Sequence, residues 1–333
     1  MSTERIKTID GKQLLNLEFE PIRFIVNGLI PQGFHILAGA PKTGKSWLLL
    51  LLCLKVSNGE PLWSFTTEKG TVLYLCLEDS TNRIQDRLSE LTDEATDNLY
   101  FATSVHSLTE DLSNQLELFI KEHPDTNLIV IDTLQMVRQA TANVNSYAAD
   151  YKDIGLLKNI SDKYGITIIA VQHLRKKYDT DPHQMISGSS GLIGAADGSY
   201  VLQKEKIGDD TAKLYIRGRD IEDQVLTIKF NSETKQWEFI STDTPQTDKL
   251  NSDAVLSLLL PFMKKENGFL GTATELAEKL GGNIKANVLT RKLSKYRNEL
   301  SDIGIEFEKS RSGERREILL VYEPKGVDDD MTV

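Results

Sequence analysis

The sequence predicts an α/β domain on a mostly parallel sheet, and after it a smaller module of different grammar. Three observations lead there. Between residues 34 and 239, short β-rich runs alternate with helical stretches, the pattern of a parallel sheet covered by helices. Four of those runs are almost wholly apolar, as strands buried on both faces must be. A polar, proline-containing stretch, "STDTPQTDKLNSD", then separates this alternation from the C-terminal module.

In chain order, the apolar runs are "FHILAG" (34–39), "TVLYLCLE" (71–78), "NLIVID" (127–132) and "GITIIAVQH" (165–173). After them come "GSYVLQKE", "AKLYIRGR" and "QVLTIKFN", whose alternation suggests antiparallel strands closing one end of the sheet. The first domain is expected over 1–240, a linker over 241–252, a second domain over 253–324 and a disordered tail over 325–333. In the second domain "SDAVLSLLLPFMKKE", "TATELAEKLGG" and "KANVLTRKLSKYRNELSDIG" read as three helices. A hairpin around Ser312-Gly313 comes next, which gives the outline of a winged helix-turn-helix. Thr272 or Thr274 opens the second of those helices as a cap, with Glu275 in its first turn.

Composition narrows the function classes. At 40% hydrophobic and 26% charged residues, the chain reads as an ordinary globular protein. The opening "MSTERIKTIDGK" holds no apolar run, so no export signal is expected there. The longest apolar stretch, Trp47 to Leu54, is far short of the ~20 residues that cross a bilayer, so no membrane role is expected. Cys53 and Cys76 lack metal or redox spacing and are expected as buried thiols in a reducing cytoplasm. A net charge of −10 argues against coating by nucleic acid, so any such contact needs local basic patches.

Chemistry starts after the first strand. Gly39-Ala40-Pro41-Lys42-Thr43-Gly44-Lys45-Ser46 fits G-x-x-x-x-G-K-[ST] at every defined position. The glycines let backbone N–H groups converge on phosphate oxygens, and the next helix aims its positive end at the same anion. Lys45 would reach the β- and γ-phosphates of ATP, and Ser46 would offer a hydroxyl to Mg²⁺. A chance match in a Gly/Lys-rich turn lacks the strand before and the helix after. This one has both.

Such a loop needs a carboxylate on the metal side. "NLIVIDT" places Asp132 at the C-terminal end of a buried strand, where ligands sit in open α/β sheets. The alternative is an aspartate capping the next helix. Glu78-Asp79 ends the strand after the loop's helix, where a carboxylate can orient and activate a water. It could instead hold the acceptor of a nucleoside monophosphate kinase, or be a solvated strand end. Gln172-His173 ends the strand after Asp132 and could hydrogen-bond the γ-phosphate and report its loss, unless His173 is structural.

Taken together, "GAPKTGKSW", "VLYLCLEDS", "LIVIDTL", "VQHLRK", "GSSGLIGAADGSYVL" and "LYIRGRD" resemble the RecA-type ATPases. The nearest resemblance is to the RepA-like branch of hexameric replicative helicases, and it covers roughly residues 15 to 230. It implies a RecA-like P-loop NTPase core, a nucleotide-binding stretch running on to Trp47, and assembly as a homohexamer. It also implies Glu78 as catalytic base, Asp132 as Mg²⁺-side acid and His173 as γ-phosphate sensor. Arg217 and Arg219 of "IRGRD" would enter the neighbouring subunit's site. Two arginines one residue apart on a strand point to the same face, and an arginine from a neighbour makes hydrolysis depend on assembly. Basic residues on an edge strand that discourage aggregation are the competing reading. In the resembling helicases the loop after His173 faces a central channel and contacts single-stranded DNA. Here that loop carries Arg175, Lys176 and Lys177, which suit a phosphate backbone but also a solvated turn. Arg83 and Arg87 read as decoration of a helix surface, with a role at a subunit interface open to them.

The second domain has two basic patches. Its third helix carries Lys285, Arg291, Lys292, Lys295 and Arg297, and its hairpin carries Lys309, Arg311, Arg315 and Arg316. Insertion in duplex DNA through Arg291, Lys292 and Lys295, with Arg315 and Arg316 on the backbone, is one reading. Docking to a replication protein is the other. The whole sequence thus points to an ATP-driven ring motor, a replicative helicase of a plasmid, phage or mobile element. An ATP-switched DNA-binding regulator or loader that unwinds nothing is the alternative. A small-molecule kinase is a third reading, for which the sequence shows no evident lid or acceptor pocket.

Overall fold

A computed structural model of the chain describes residues 8–17, 21–94, 96–108, 111–138, 146–175, 179–188, 190–206, 208–242, 256–281, 284–312 and 315–323. It divides into two compact units, Met1–Asp243 and Thr244–Val333. The tail expected over 325–333 lies outside the described residues.

The first unit begins with α1 (Gly11–Asn16) and an antiparallel pair, β1 (Phe24–Val26) and β2 (Ile30–Pro31). The rest is built on a nine-stranded sheet. Its strands are β3 (Gly33–Gly39), β4 (Thr71–Cys76), β5 (Leu99–Ala102), β6 (Thr126–Asp132), β7 (Thr167–His173), β8 (Gly198–Gln203), β9 (Thr211–Gly218), β10 (Gln224–Phe230) and β11 (Trp237–Thr242). They lie side by side in the order β11-β10-β9-β8-β3-β7-β6-β4-β5. Neighbours from β8 to β5 are parallel, and β9, β10 and β11 are antiparallel additions. One strand departs from expectation. β8 runs parallel to β3, not antiparallel, because the turn Pro182–Met185 and α6 (Ser190–Ala195) return the chain to the starting end of the sheet.

The remaining helices are α2 (Lys45–Asn58), α3 (Thr81–Leu91), α4 (Leu112–Glu122) and α5 (Ser146–Tyr164). They build one core on each face of the sheet. α2 lies in the first, where every residue from Leu48 to Leu54 is buried. A helix apolar all round needs cover all round. The antiparallel strands supply it, since Leu214, Leu226, Ile228 and Trp237 share the α2 core. Each leucine so buried contributes about 1.5–3 kcal/mol, and truncating Leu51 to alanine costs about 2–5 kcal/mol. The opposite core takes Leu112, Leu116 and Ile120 of α4 with Ile154, Leu157 and Ile160 of α5. Cys53 and Cys76 are free and buried. Among the described residues no helix is long and apolar enough to cross a membrane.

The second unit holds α7 (Leu256–Glu266), β12 (Gly268–Gly271), α8 (Ala273–Leu280), α9 (Ala286–Lys295), α10 (Arg297–Asp302), β13 (Ile305–Ser312) and β14 (Arg315–Tyr322). Its three strands are antiparallel in the order β12-β14-β13. Leu259, Met263, Leu276, Leu289, Leu293, Phe307 and Leu320 form its core. Thr272 caps α8 in a reciprocal pair with Glu275. The third helix read from the sequence is two, broken at Tyr296 (φ −102°, ψ 25°), a backbone setting that turns the chain.

Candidate nucleotide site at the end of the parallel sheet

β3 delivers Gly39 to the carboxyl end of the sheet, and α2 begins at Lys45. Between them the loop is tightly shaped. Gly44 adopts φ 95°, and a Cβ there would sit 2.8 Å from Cζ2 of Trp237. The indole Nε1 of Trp237 donates to the Gly44 carbonyl over 3.0 Å, although β11 lies several strands away from β3. Trp63 donates in turn to the Trp237 carbonyl at 2.6 Å. The loop therefore stands on a buried aromatic floor. Thr43 Oγ1 donates to the Ala40 carbonyl at 2.8 Å. Lys45 Nζ lies under the loop, donating to the carbonyls of Gly39 at 2.9 Å and Ala40 at 3.0 Å. Burial pulls the Lys45 ammonium below its usual value, while Asp132 and Glu78 oppose that shift.

The acidic side comes from β6 and β4. Ser46 Oγ donates to Asp132 Oδ2 at 3.0 Å, and Tyr74 Oη donates to the same oxygen at 3.1 Å. Burial pushes the Asp132 carboxyl up, and the two hydroxyl donors pull it back. The peptide between Asp132 and Thr133 is cis. β4 and β6 align Cys76 with Asp132, which brings Glu78 beside the next residue of β6's exit. Thr133 Oγ1 accordingly donates to Glu78 Oε1 at 2.9 Å. Glu78 is exposed, whereas Asp79 is engaged by Arg83 at 2.9 Å and by Arg87. Arg87 also lies over the Trp47 ring at 5.9 Å. Arg83 and Arg87 thus anchor the start of α3 to the strand end. Of the acidic pair, only Glu78 is left for chemistry.

β7 sets His173 level with Gly39 and Gln172 level with Ala38. Gln172 Oε1 accepts from the His173 amide at 3.1 Å. The His173 Nδ1 atom is buried with no hydrogen-bond partner among the described residues. Arg175, exposed, donates to the Gln184 carbonyl, while Lys176 and Lys177 lie outside the described residues.

The two arginines sit elsewhere. Arg217 pairs in register with Ser199, and Ser199 with Ile36, near the starting end of β3 and away from Gly39. Its Nη1 donates to Asp181 at 2.8 Å and its Nε to Asp223 at 3.0 Å. Arg219 donates to the Gly194 carbonyl at 3.0 Å and to Asp197 at 3.4 Å. Their side chains are 45% and 55% exposed, so each could be met from outside the chain. In the second unit Arg291 and Lys295 are exposed on α9, Lys292 is half-buried and Arg316 is exposed on β14. The Arg315 side chain lies outside the described residues.

The oxygens of Ser46 and Asp132 suit a hard cation that takes one or two protein ligands and keeps water and phosphate for the rest. Among the described residues no group of three or more His, Cys, Asp or Glu could hold a metal by itself. The donor set therefore fits Mg²⁺ arriving with a nucleotide. Tyr74, Thr133 and Trp237 are absent from the reading of the sequence alone. For Tyr74 a signal exists: it is the lone hydroxyl in an otherwise apolar "VLYLC".

The profile of the AAA domain family matches residues 2–179, more than half of the chain. The chain belongs to the AAA-domain family. No curated protein matches it. Among solved structures, one described as an ATPase domain matches at TM-score 0.51 and 16% identity. That match covers 63% of this chain and 85% of that one. A DnaB-like replicative helicase, described with its interactions with primase, matches at TM-score 0.50 and 16% identity. It covers 63% of this chain and 58% of that one. At such identity the likeness is one of fold, and the fold is the RecA-like ATPase domain. In this AAA-domain chain the matched stretch includes Gly39–Ser46, Glu78, Asp132 and His173, while Arg217, Arg219 and the second unit lie beyond it.

Proposed function

We propose that this chain is the ATP-hydrolysing subunit of a ring-forming DNA motor. The ring is a homohexamer and a replicative helicase of a plasmid, phage or mobile element, moving on single-stranded DNA. One observation carries the reading. The loop, Glu78, Asp132 and His173 share one end of the sheet, while Arg217 and Arg219 occupy the other end, half exposed. A phosphoryl-transfer site can be completed by an arginine that a neighbour supplies.

The chemistry follows from the side chains. Loop N–H groups between Gly39 and Ser46, all but that of Pro41, which has none, hold the phosphates, and Lys45 leaves its carbonyls for the β- and γ-oxygens. Glu78, oriented by Thr133, takes the proton of a water whose oxygen bonds the γ-phosphorus as the bond to the β-phosphate oxygen breaks. Ser46 and Asp132 would hold Mg²⁺, whose charge would offset that of the phosphates. His173, level with Gly39, senses the γ-phosphate. Arg217 and Arg219 of the neighbour meet the charge that develops during transfer.

Arg175, Lys176 and Lys177 track the single strand in the channel. The second unit is a winged helix that binds duplex DNA through Arg291, Lys292, Lys295, Arg315 and Arg316. The deciding measurement is strand displacement on a forked substrate, with particle images taken under a non-hydrolysable ATP analogue. Closed rings and a released strand are expected. Hydrolysis without displacement would move the chain to the regulators and loaders.

A further inference from the structure

The hairpin of the second unit sorts its charges by face. Paired residues on adjacent strands share a face, and neighbours along a strand alternate. In the β13–β14 register, Phe307 pairs with Leu320, Lys309 with Ile318 and Arg311 with Arg316. Phe307, Ile318 and Leu320 belong to the core, so their face is the one toward the helices. Beyond the core that same face continues as Lys309 and Arg316, both exposed. The opposite face carries Glu306, Glu308 and Glu317, of which Glu308 pairs with Leu319 and Glu317 with Ser310. The acidic residues Glu306, Glu308 and Glu317 thus lie on the face opposite Lys309 and Arg316, a face that by register also holds position 315.

Arg297 lies exposed at the start of α10, a helix that packs on β13. Although the residue is exposed, partial desolvation of its ammonium, then Arg316 and Arg297, pulls Lys309 below its usual value, and both charges acting on it are positive. Like charges gathered this way cost stability unless an anion offsets them. On α9, Asn287 and Arg291 are exposed one turn apart. Their planar side chains are of the kind that bond base edges in a major groove. That favours nucleic acid over an acidic protein segment as the occupant.

We propose that Lys309, Arg316 and Arg297 form a cradle for the sugar–phosphate backbone of duplex DNA on the helix-facing side of the hairpin. The proposal rests on the reading of the second unit as a DNA-binding winged helix, and it assigns the face on which the backbone lies. The carboxylates of Glu306, Glu308 and Glu317 are turned from the DNA.

The test uses the full-length, nucleotide-free protein and fluorescence anisotropy with a duplex of about 20 base pairs, across about 50 to 200 mM salt. Lys309→Gln with Arg316→Gln should weaken binding about tenfold and reduce the slope of log K against log salt by about 2. Glu308→Gln with Glu317→Gln should change affinity less than about twofold, because those residues face away. Thermal unfolding of each variant checks the fold, and the single Lys309→Gln, with a slope change of about 1, serves if the double variant fails to fold. Wild-type affinity and slope in the double variant, with binding lost in Arg291→Ala, would overturn the cradle and leave the DNA reading standing. Duplex binding indifferent to all of these substitutions would overturn both. Binding of poly-glutamate but not duplex, lost in the cradle variant, would also overturn the proposal and point to a protein partner.

Discussion

Tyr74 Oη donates to Asp132 Oδ2 from inside β4, and the oxygen it touches also accepts from Ser46. A buried carboxylate is held ionised by such donors, since desolvation alone would neutralise it. Were the Ser46 hydroxyl to turn to a bound Mg²⁺, Tyr74 would still donate to Asp132. Tyr74→Phe removes one hydroxyl and keeps the ring. A hydrogen bond to a charged group contributes about 1.5–3 kcal/mol, so half-saturating Mg²⁺ for nucleotide binding should rise about tenfold. Nucleotide affinity without Mg²⁺ should stay near wild type. Calorimetric titration with and without the metal separates the two, and an equal loss in both would reduce Tyr74 to packing.

Glu78 and Asp79 are adjacent in sequence but differently engaged. Glu78 is exposed and held by Thr133, while Asp79 is paired with Arg83 and Arg87. Glu78→Gln keeps size and loses basicity, so turnover should fall about 100-fold or more with ATP binding retained. Asp79→Asn should lower turnover modestly and shift the unfolding midpoint down, through the loosened start of α3. Steady-state hydrolysis and nucleotide binding measured on both variants decide it. A dead Asp79→Asn beside an active Glu78→Gln would exchange their roles.

The loop was legible because its spacing is fixed by phosphate geometry and its context by one strand and one helix. β3, β4, β6 and β7 were legible because strands buried on both faces are apolar runs. β5 was missed because "LYFA" is four residues long, and β12 because "GFLG" is half glycine. Trp237 could not be read at all. Its bond to Gly44 spans 193 positions, and nothing local marks a tryptophan on the last strand as the floor of a loop near the first. Arg217 was legible as a candidate, but its own-chain partners Asp181 and Asp223 come from two separate turns. The reach of a side chain across elements is a tertiary fact.

His35 gives the first unit an acid limb. Its ring is fully buried, Nε2 donates to the Pro31 carbonyl at 2.8 Å, and burial pushes the imidazole down to about 4. The unfolded chain takes up that proton near pH 6.5, so below this value the unfolded state binds more protons. Stability is therefore full above about pH 6.5 and falls as pH drops toward 4, by about 3 kcal/mol at most from this group. His35→Gln, which cannot titrate, should flatten the fall of the unfolding midpoint between pH 6.5 and 4. Parallel curves for wild type and variant would show that His35 is not its source. His183, pushed down to about 4 by burial and by Arg217, leaves the variant a residual slope of the same sign.

Arg219 is the residue that tests whether the proposed site is shared between subunits. In its own chain it donates to the Gly194 carbonyl and Asp197, at the sheet end away from the loop. Arg219→Ala should thus bind ATP normally through its own loop and hydrolyse it at least about 100-fold more slowly. Lys45→Ala, which removes the ammonium from the loop, should be equally inactive for the opposite reason. Mixed together, the two inactive proteins should regain activity wherever an intact loop from one faces an intact arginine from the other. Arg217→Ala should be milder, since Asp181 and Asp223 both hold Arg217 and suit it to positioning more than to charge neutralisation. The measurement is steady-state hydrolysis across a titration of the two proteins with DNA present, with subunit exchange followed by labelled protein. Activity that rises to a maximum at intermediate ratios is the signature of a shared site. A flat line despite demonstrated exchange would return Arg219 to an edge-strand charge and the chain to a monomeric switch.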